Sequence, residues 1–515
     1  VIMQNQRKEF GYLSSSILTS VFRGILVGLF SGFTVSLFRY LITIIFEQFQ
    51  KGFILAHKLP WVLVIILLIY LIFSLIIGRL IVSEPDIKGS GIPQVEAELK
   101  GLMSQNWWSI LWKKFLAGVL GISSGLMLGR EGPSIQVGAV SGKGLARYLK
   151  LSKLEERTLI ASGAAAGVSA AFNAPIAGLL FVVEEVYHHF SSRVWITALS
   201  ASLTANLISL RVFGQTPVLA MPDNLPTPRL STYIIFVLMG LLLGLLAYHY
   251  EWLVLRMGHY YSRLGKIFHL QPQYYSIIAF VLIMPLGYLA PQLLGGGNAF
   301  VRSLSSLQAP VLYFLAFFLL RYFYSMISYG SGLPGGIFLP ILTLGACLGA
   351  FFGSVFLHLG WISQAEFPIF IILGMSAYFG AISKAPLTAM ILVCEMVGDL
   401  HHLMALGTTT LLAYIVMDLL GGAPVYEAML ENLLEGDQPD EDDSPLTWIE
   451  VPVSEKIAGK SVYQLELPKD VLITSQRENG KSHIVSGGTK LILGNAINVV
   501  LPEDKIDQVR HLLLD

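Results

Sequence analysis

The chain is 515 residues long, 54% hydrophobic and 13% charged, with 34 basic and 34 acidic side chains. This composition excludes a soluble enzyme built on one large core and points to a polytopic membrane protein, for which no nucleic-acid partner is expected. The zero net charge hides a division: residues 435–515 hold 15 acidic and 8 basic side chains, net −7, which leaves net +7 upstream.

Residues through Arg7, Lys8 and Glu9 are polar, so no cleavable leader is expected here. Apolar runs near 20–46, 61–82, 106–128, 233–255, 274–294 and 403–420 reach the roughly 20 helical residues that a ~30 Å hydrocarbon layer requires. The first motif, Gly89, Ser90, Gly91, Ile92, Pro93, opens a helix toward Leu99, and Ser90 can donate its hydroxyl beside the free backbone N–H groups. Glu96 and Glu98 follow it and are candidates for an internal proton or salt-bridge network.

The second motif, Gly129, Arg130, Glu131, Gly132, Pro133, starts a helix toward Tyr148. A helix N-terminus holds a small anion through its unpaired N–H groups and partial positive charge, yet here a carboxylate, Glu131, is placed to compete for that position. Past this helix, Pro175 to Tyr187 is too short to cross and is predicted as a half-helix packed inside protein. It ends in Glu184 and Glu185, and intramembrane carboxylates are functional by default. The pairs His188, His189 and His401, His402 read as surface or subunit-contact residues rather than a metal or pH-sensing site.

In the second half, Gly335, Gly336, Ile337, Phe338, Leu339, Pro340 offers backbone N–H groups between bulky apolar walls. Gly421, Gly422, Ala423, Pro424, Val425, Tyr426 starts the last membrane helix and brings a phenolic donor. Partial dipoles and neutral donors bind a monovalent anion weakly enough to release it, as conduction demands.

An internal repeat relates the halves. A shift of 207 pairs Ser124, Gly125, Leu126, Gly129, Pro133, Gly138, Ala139 and Gly142 with Ser331, Gly332, Leu333, Gly336, Pro340, Gly345, Ala346 and Gly349. A shift of 211 pairs Gly163, Ala166, Ala170, Ala174, Pro175 and Glu184 with Gly374, Ala377, Ala381, Ala385, Pro386 and Glu395. The connector with Lys143, Arg147, Lys150, Lys153 and Arg157 corresponds to a stretch, Ala350 to Gln364, that has no Lys or Arg. The positive-inside rule then places the two on opposite sides, so the repeats, about 20–200 and 230–434, are predicted to be inverted.

The membrane part is predicted to end near Leu434, followed by an acidic linker, 435–445. Short β-type runs, Val471 to Thr474 and Ile497 to Leu501, and a helix near Asp504 to Leu514 predict a small soluble α+β domain over 446–515. Cys347 and Cys394 match no metal spacing and read as packing residues, so no metal and no cofactor is expected. The chain lacks His-Glu-x-x-His, Gly-x-Ser-x-Gly and Walker A patterns, and an enzyme is not expected.

Residues 89–93, 129–133, 335–340 and Tyr426 together resemble the CLC family of chloride channels and chloride/proton antiporters, over about 20–434. The resemblance implies an all-α membrane fold with inverted halves of full and broken helices. It implies chloride coordination by Ser90, Tyr426 and the backbone amides of Ile337 and Phe338. Glu131 would be the gating glutamate and Glu185 the internal proton glutamate that exchangers keep, with Glu184 and Glu96 as possible support. A homodimer in the bilayer follows, exchanging chloride for protons; the alternative is a passive voltage- or pH-gated chloride channel of the same fold. Ser90 matches the chloride-type pattern. The tail resembles the C-terminal domain of TrkA-type regulators through Gly459 to Leu467, Pro468, Val471 to Ile473, Gly487 to Thr489 and Gly494, but has Asn495 where those proteins usually have Asp. That domain implies a bacterial inner membrane and a cytoplasmic tail.

Overall fold

Glycine, proline and capping residues set the helix boundaries in the computed structural model, which describes residues 2–187, 191–222, 225–307, 309–435, 446–465, 467–468, 470–478, 481–502 and 505–514. His188, His189 and most of the acidic linker lie outside the described residues. The chain divides into two compact units, Val1–Leu434 and Glu435–Asp515.

In the first unit, one half contains α1 (Ile2–Ala56), α2 (Val62–Ser83), α3 (Ile92–Lys100), α4 (Trp107–Ser123), α5 (Glu131–Tyr148), α6 (Lys153–Phe172), α7 (Pro175–Phe181) and α8 (Ser192–Phe213). The other contains α9 (Thr232–Phe268), α10 (Ser276–Leu289), α11 (Asn298–Leu304), α12 (Val311–Gly330), α13 (Phe338–His358), α14 (Phe367–Ser383), α15 (Pro386–Val397), α16 (Leu403–Leu419) and α17 (Val425–Glu435). Seven described stretches are long and apolar enough to cross a membrane: 17–56, 62–83, 193–213, 232–268, 272–289, 311–330 and 338–358.

That set differs from the expected runs for physical reasons. The 106–128 run is helical only to Ser123, because Gly125 takes a left-handed φ of 93° and the chain must then run extended to reach its motif. Helix α16, at 17 residues, falls just short. The 311–330 span is hidden in the sequence by Arg321, which is buried and donates to the carbonyls of Leu293 (2.9 Å) and Gly295 (2.8 Å).

The repeat is visible in local geometry. Asn173 and Lys384, related by the 211 shift, both adopt left-handed φ (56° and 55°), ending α6 and α14. Each is followed by an Ala outside the helical region and then a Pro that opens a short helix, since the residue before proline is pushed out of that region. Helix α6 itself starts with a capping box of Ser152 and Glu155. Where α5 crosses α6 and α13 crosses α14, backbones meet through glycine: a Cβ on Gly138 would strike the carbonyl of Gly163, and one on Gly345 that of Gly374. The predicted half-helix is α7 extended by a π-helical turn, Val182–Val186, that carries Glu184 and Glu185. Such wide turns recur at functional sites.

The second unit is a four-stranded antiparallel sheet in the order β1-β4-β2-β3, with β1 Leu446–Pro452, β2 Leu472–Glu478, β3 Lys481–Ile484 and β4 Ala496–Pro502. Alternate residues Val451, Ile473, Ile497, Val499 and Leu501 pack with Val509 and Leu513 of the closing helix α18 (Ile506–Leu514). Lys505 bonds Asp470 and holds its carboxyl below the usual range, tying the start of α18 to the approach of β2.

Candidate functional site

The four glycine-proline motifs each precede a helix, and hydrogen bonds draw three of them together. Gly129 N donates to Gly336 O (2.7 Å) and Gly336 N to Gly129 O (2.8 Å), a reciprocal pair between residues related by the 207 shift. Gly335 N donates to Gly89 O (3.1 Å), so the loop holding Ser90 joins the same knot. Contact is too close for side chains: a Cβ on Gly132 would lie 2.7 Å from Ser90 O, and one on Gly336 would lie 3.2 Å from Gly132 N. Helices α3, α5 and α13 therefore begin around one point, with their free N–H groups toward it.

The fourth helix joins through aromatic packing. Phe181 of α7 stacks edge-on against both Phe338 (5.5 Å) and Tyr426 (6.2 Å), and Phe338 also meets Phe172 and Phe379. Ser90 Oγ and Tyr426 Oη are both buried, with no hydrogen-bond partner among the described residues. Two buried hydroxyl donors without a protein acceptor make a natural lining for a small anion. Glu131 is wholly buried, its carboxylate beside the N–H of Leu339 and 3.9 Å from Arg130 Nε, with no well-formed hydrogen bond to hold it among the described residues. Ile337 and Phe338 sit at the start of α13, where their N–H groups have no intrahelical acceptor.

The candidate acids gather elsewhere. Glu185, 4% exposed, lies within electrostatic reach of Glu96, Glu184 and Glu427. Glu96 pairs with Lys100 (2.8 Å), which also meets Glu427 (2.9 Å). Glu98 is drawn off into a buried pair with Lys143, whose ammonium also donates to Gln105 O (2.6 Å). Lys143 is thus a core residue rather than one of the connector's free cations. Glu184 is engaged too: it accepts from Leu387 N (3.2 Å), Thr388 N (2.7 Å) and Thr388 Oγ1 (2.6 Å). His402 is buried and bonds Asp399 and Pro226 O, and His401 bonds Asp399; no group of three or more candidate metal ligands occurs among the described residues.

Several residues outside the four motifs also shape the site. Lys114, fully buried on α4, donates to the carbonyls of Ile87 (2.9 Å) and Gly89 (2.8 Å), bracing the Ser90 loop with a cation held by backbone oxygens. Glu251 on α9 accepts from Ala423 N (2.9 Å), at the loop that presents Tyr426. Arg39 donates to Ala170 O, Asn173 Oδ1 and Ser209 Oγ, fixing the left-handed turn before α7. A charged residue inside an apolar run was the available signal for Lys114 and Glu251.

A vestibule of about 400 Å³, lined by Arg39, Arg130, Arg302, Gln50 and Leu339 among others, reaches one side of this knot.

Comparison with known proteins gives a consistent result. The family model described as voltage gated chloride channel matches residues 69–418. The chain is 32% identical over 440 residues to the H(+)/Cl(-) exchange transporter ClcA of Vibrio cholerae, covering 82% of this chain and 92% of that one. It is 33% identical over 397 residues to the protein of the same name from Yersinia pestis, covering 75% and 82%. Among solved structures it matches a slow cyanobacterial Cl−/H+ antiporter with a TM-score of 0.73 and 28% identity, covering 81% of this chain and 98% of that one. A CLC-type fluoride/proton antiporter shares the fold with a TM-score of 0.63 at 22% identity, covering 79% and 95%.

Proposed function

Because the chain belongs to the voltage gated chloride channel (CLC) family, we propose that it is a secondary active antiporter that moves chloride across a membrane in exchange for protons. The observation that carries this is the convergence of helix N-termini and the unpartnered hydroxyls of Ser90 and Tyr426 with the buried carboxylate of Glu131. Ser90, Tyr426 and the amides of Ile337 and Phe338 bind chloride. Ionised Glu131 competes with the anion for the same positive potential; protonated, it loses the attraction that keeps it there and swings aside. Proton binding at one carboxyl and chloride entry thereby become linked.

Glu185 supplies the proton from the other side. A buried acid in an apolar interior is costly, and a passive pore has no use for it, which favours exchange over channel conduction. Glu96, held by Lys100, adjoins that route. The protein works as a homodimer in a bacterial inner membrane, with the tail cytoplasmic and acting as a TrkA-C-like dimerising or gating module.

The test is reconstitution into liposomes with chloride and pH recorded together. Wild-type protein drives protons uphill when a chloride gradient is applied, and Glu185→Val reduces that proton movement to background while chloride continues to flow. Proton movement at the wild-type rate in Glu185→Val removes that residue from the path, and chloride flux in wild type without any proton movement makes the protein a channel. In crystals soaked with bromide, a heavy-atom signal is expected between Ser90 and Tyr426, and its absence contradicts the anion site.

A further inference from the structure

Two carboxylates on equivalent helices of the two halves are each bonded to the other half. Glu395, near the end of α15, accepts from Ile176 N (3.1 Å) and Ala177 N (2.8 Å) in the first turn of α7. Glu184, at the end of α7 and its π turn, accepts from Leu387 N and Thr388 N in the first turn of α15. The 211 shift carries Glu184 onto Glu395, Ile176 onto Leu387 and Ala177 onto Thr388, so the two sets of bonds are copies related by the repeat. Each short helix thus receives its N-terminal cap from the far end of its mate, where a carboxylate meets both free N–H groups and the positive end of the helix dipole.

The symmetry is broken in what the helices carry. The repeat mate of Glu185 is Met396, so only the first half presents an acid beyond its clamp. The mate of Ala177 is Thr388, whose hydroxyl gives Glu184 a third bond, 2.6 Å long. Helix α7 with its turn spans about 18 Å from Pro175 to Val186. Between its two anchored ends lies Phe181, against Phe338 and Tyr426. Glu185 is the next residue after the anchored Glu184.

Building on the exchanger reading above, we infer that Glu395 and Glu184 form a cross-repeat clamp that positions Glu185 for proton delivery. Glu395 touches none of the chloride-binding groups. Its loss loosens the half-helix at the acid, while the aromatic packing of Phe181 on Phe338 and Tyr426 keeps the anion path assembled.

The test measures protons moved per chloride in reconstituted vesicles for wild type, Glu395→Leu, Glu395→Gln and Thr388→Val. Leu fills the space without an acceptor, and is expected to lower the ratio at least about fivefold with chloride flux within about twofold of wild type. Gln keeps one acceptor oxygen and is expected to recover much of the ratio. Thr388→Val removes one hydroxyl bond and no charge; it lowers the ratio by about twofold and decides the matter if Glu395→Leu yields no folded protein. A wild-type ratio in Glu395→Leu, or in Thr388→Val when it stands alone, overturns the clamp. So does a parallel fall of chloride and proton flux in the variants, which marks a structural role only. In those outcomes wild type still couples and the exchanger reading survives; a wild type that moves no protons ends both.

Discussion

Glu131→Gln is expected to stop uphill proton movement and to leave chloride moving down its gradient. The side chain is buried at the start of α5, facing the N-terminus of α13, where the N–H groups that would hold an anion also attract an ionised carboxylate. Gln has nearly the same shape and cannot ionise, so it mimics the protonated carboxyl permanently. It carries no proton and offers no negative charge to exchange against chloride. The expected result in vesicles is a proton signal at background, at least about tenfold below wild type, with chloride flux retained. The dependence of chloride flux on pH is also expected to flatten, because the carboxyl proposed to open the path on protonation is gone. Continued uphill proton movement in Glu131→Gln removes this carboxyl from the coupling step.

What the sequence disclosed was mostly what local chemistry dictates. Gly91, Gly125 and Gly332 take left-handed φ, and prolines follow helix starts in α3, α7 and α15, so motif and conformation coincide. The repeat was legible for the same reason, since glycine and proline recur where the backbone makes the same turn twice. Partners far apart in sequence were not legible. Lys114 reads as one more cation near an apolar run, because its acceptors are the carbonyls of Ile87 and Gly89, and any residue supplies a carbonyl. Glu184 stands beside Glu185 in sequence, and only the fold shows its oxygens turned to the start of α15. Lys143 lies among the connector's cations in sequence, and only the fold buries it against Glu98. Span 311–330 was obscured by Arg321, whose charge is met by carbonyls about 26 residues away in sequence.

Gly138→Val is expected to abolish folding of the membrane unit, although it lies a full two turns from Glu131. A Cβ at Gly138 collides with the backbone carbonyl of Gly163 and comes within 3.2 Å of Gly167 Cα, so no side-chain rotation relieves it. In the reverse direction a Cβ on Gly163 lies 2.8 Å from Gly138 C. Helices α5 and α6 would have to separate, and α5 is buried almost end to end, so the displacement would be passed to the N-terminus that faces Ser90. Overpacking of a side chain costs about 1–3 kcal/mol, and backbone against backbone exceeds that range. Gly258→Ala is the control: Gly258 lies within α9 with nothing within 4 Å of its would-be Cβ, and alanine there should be neutral or stabilise by up to about 1 kcal/mol. Thermal unfolding and size-exclusion profiles in detergent check the pair. A melting temperature for Gly138→Val near that of wild type shows that α5 and α6 are not locked at this crossing, and that the glycine contact does not hold the converging helix ends in place.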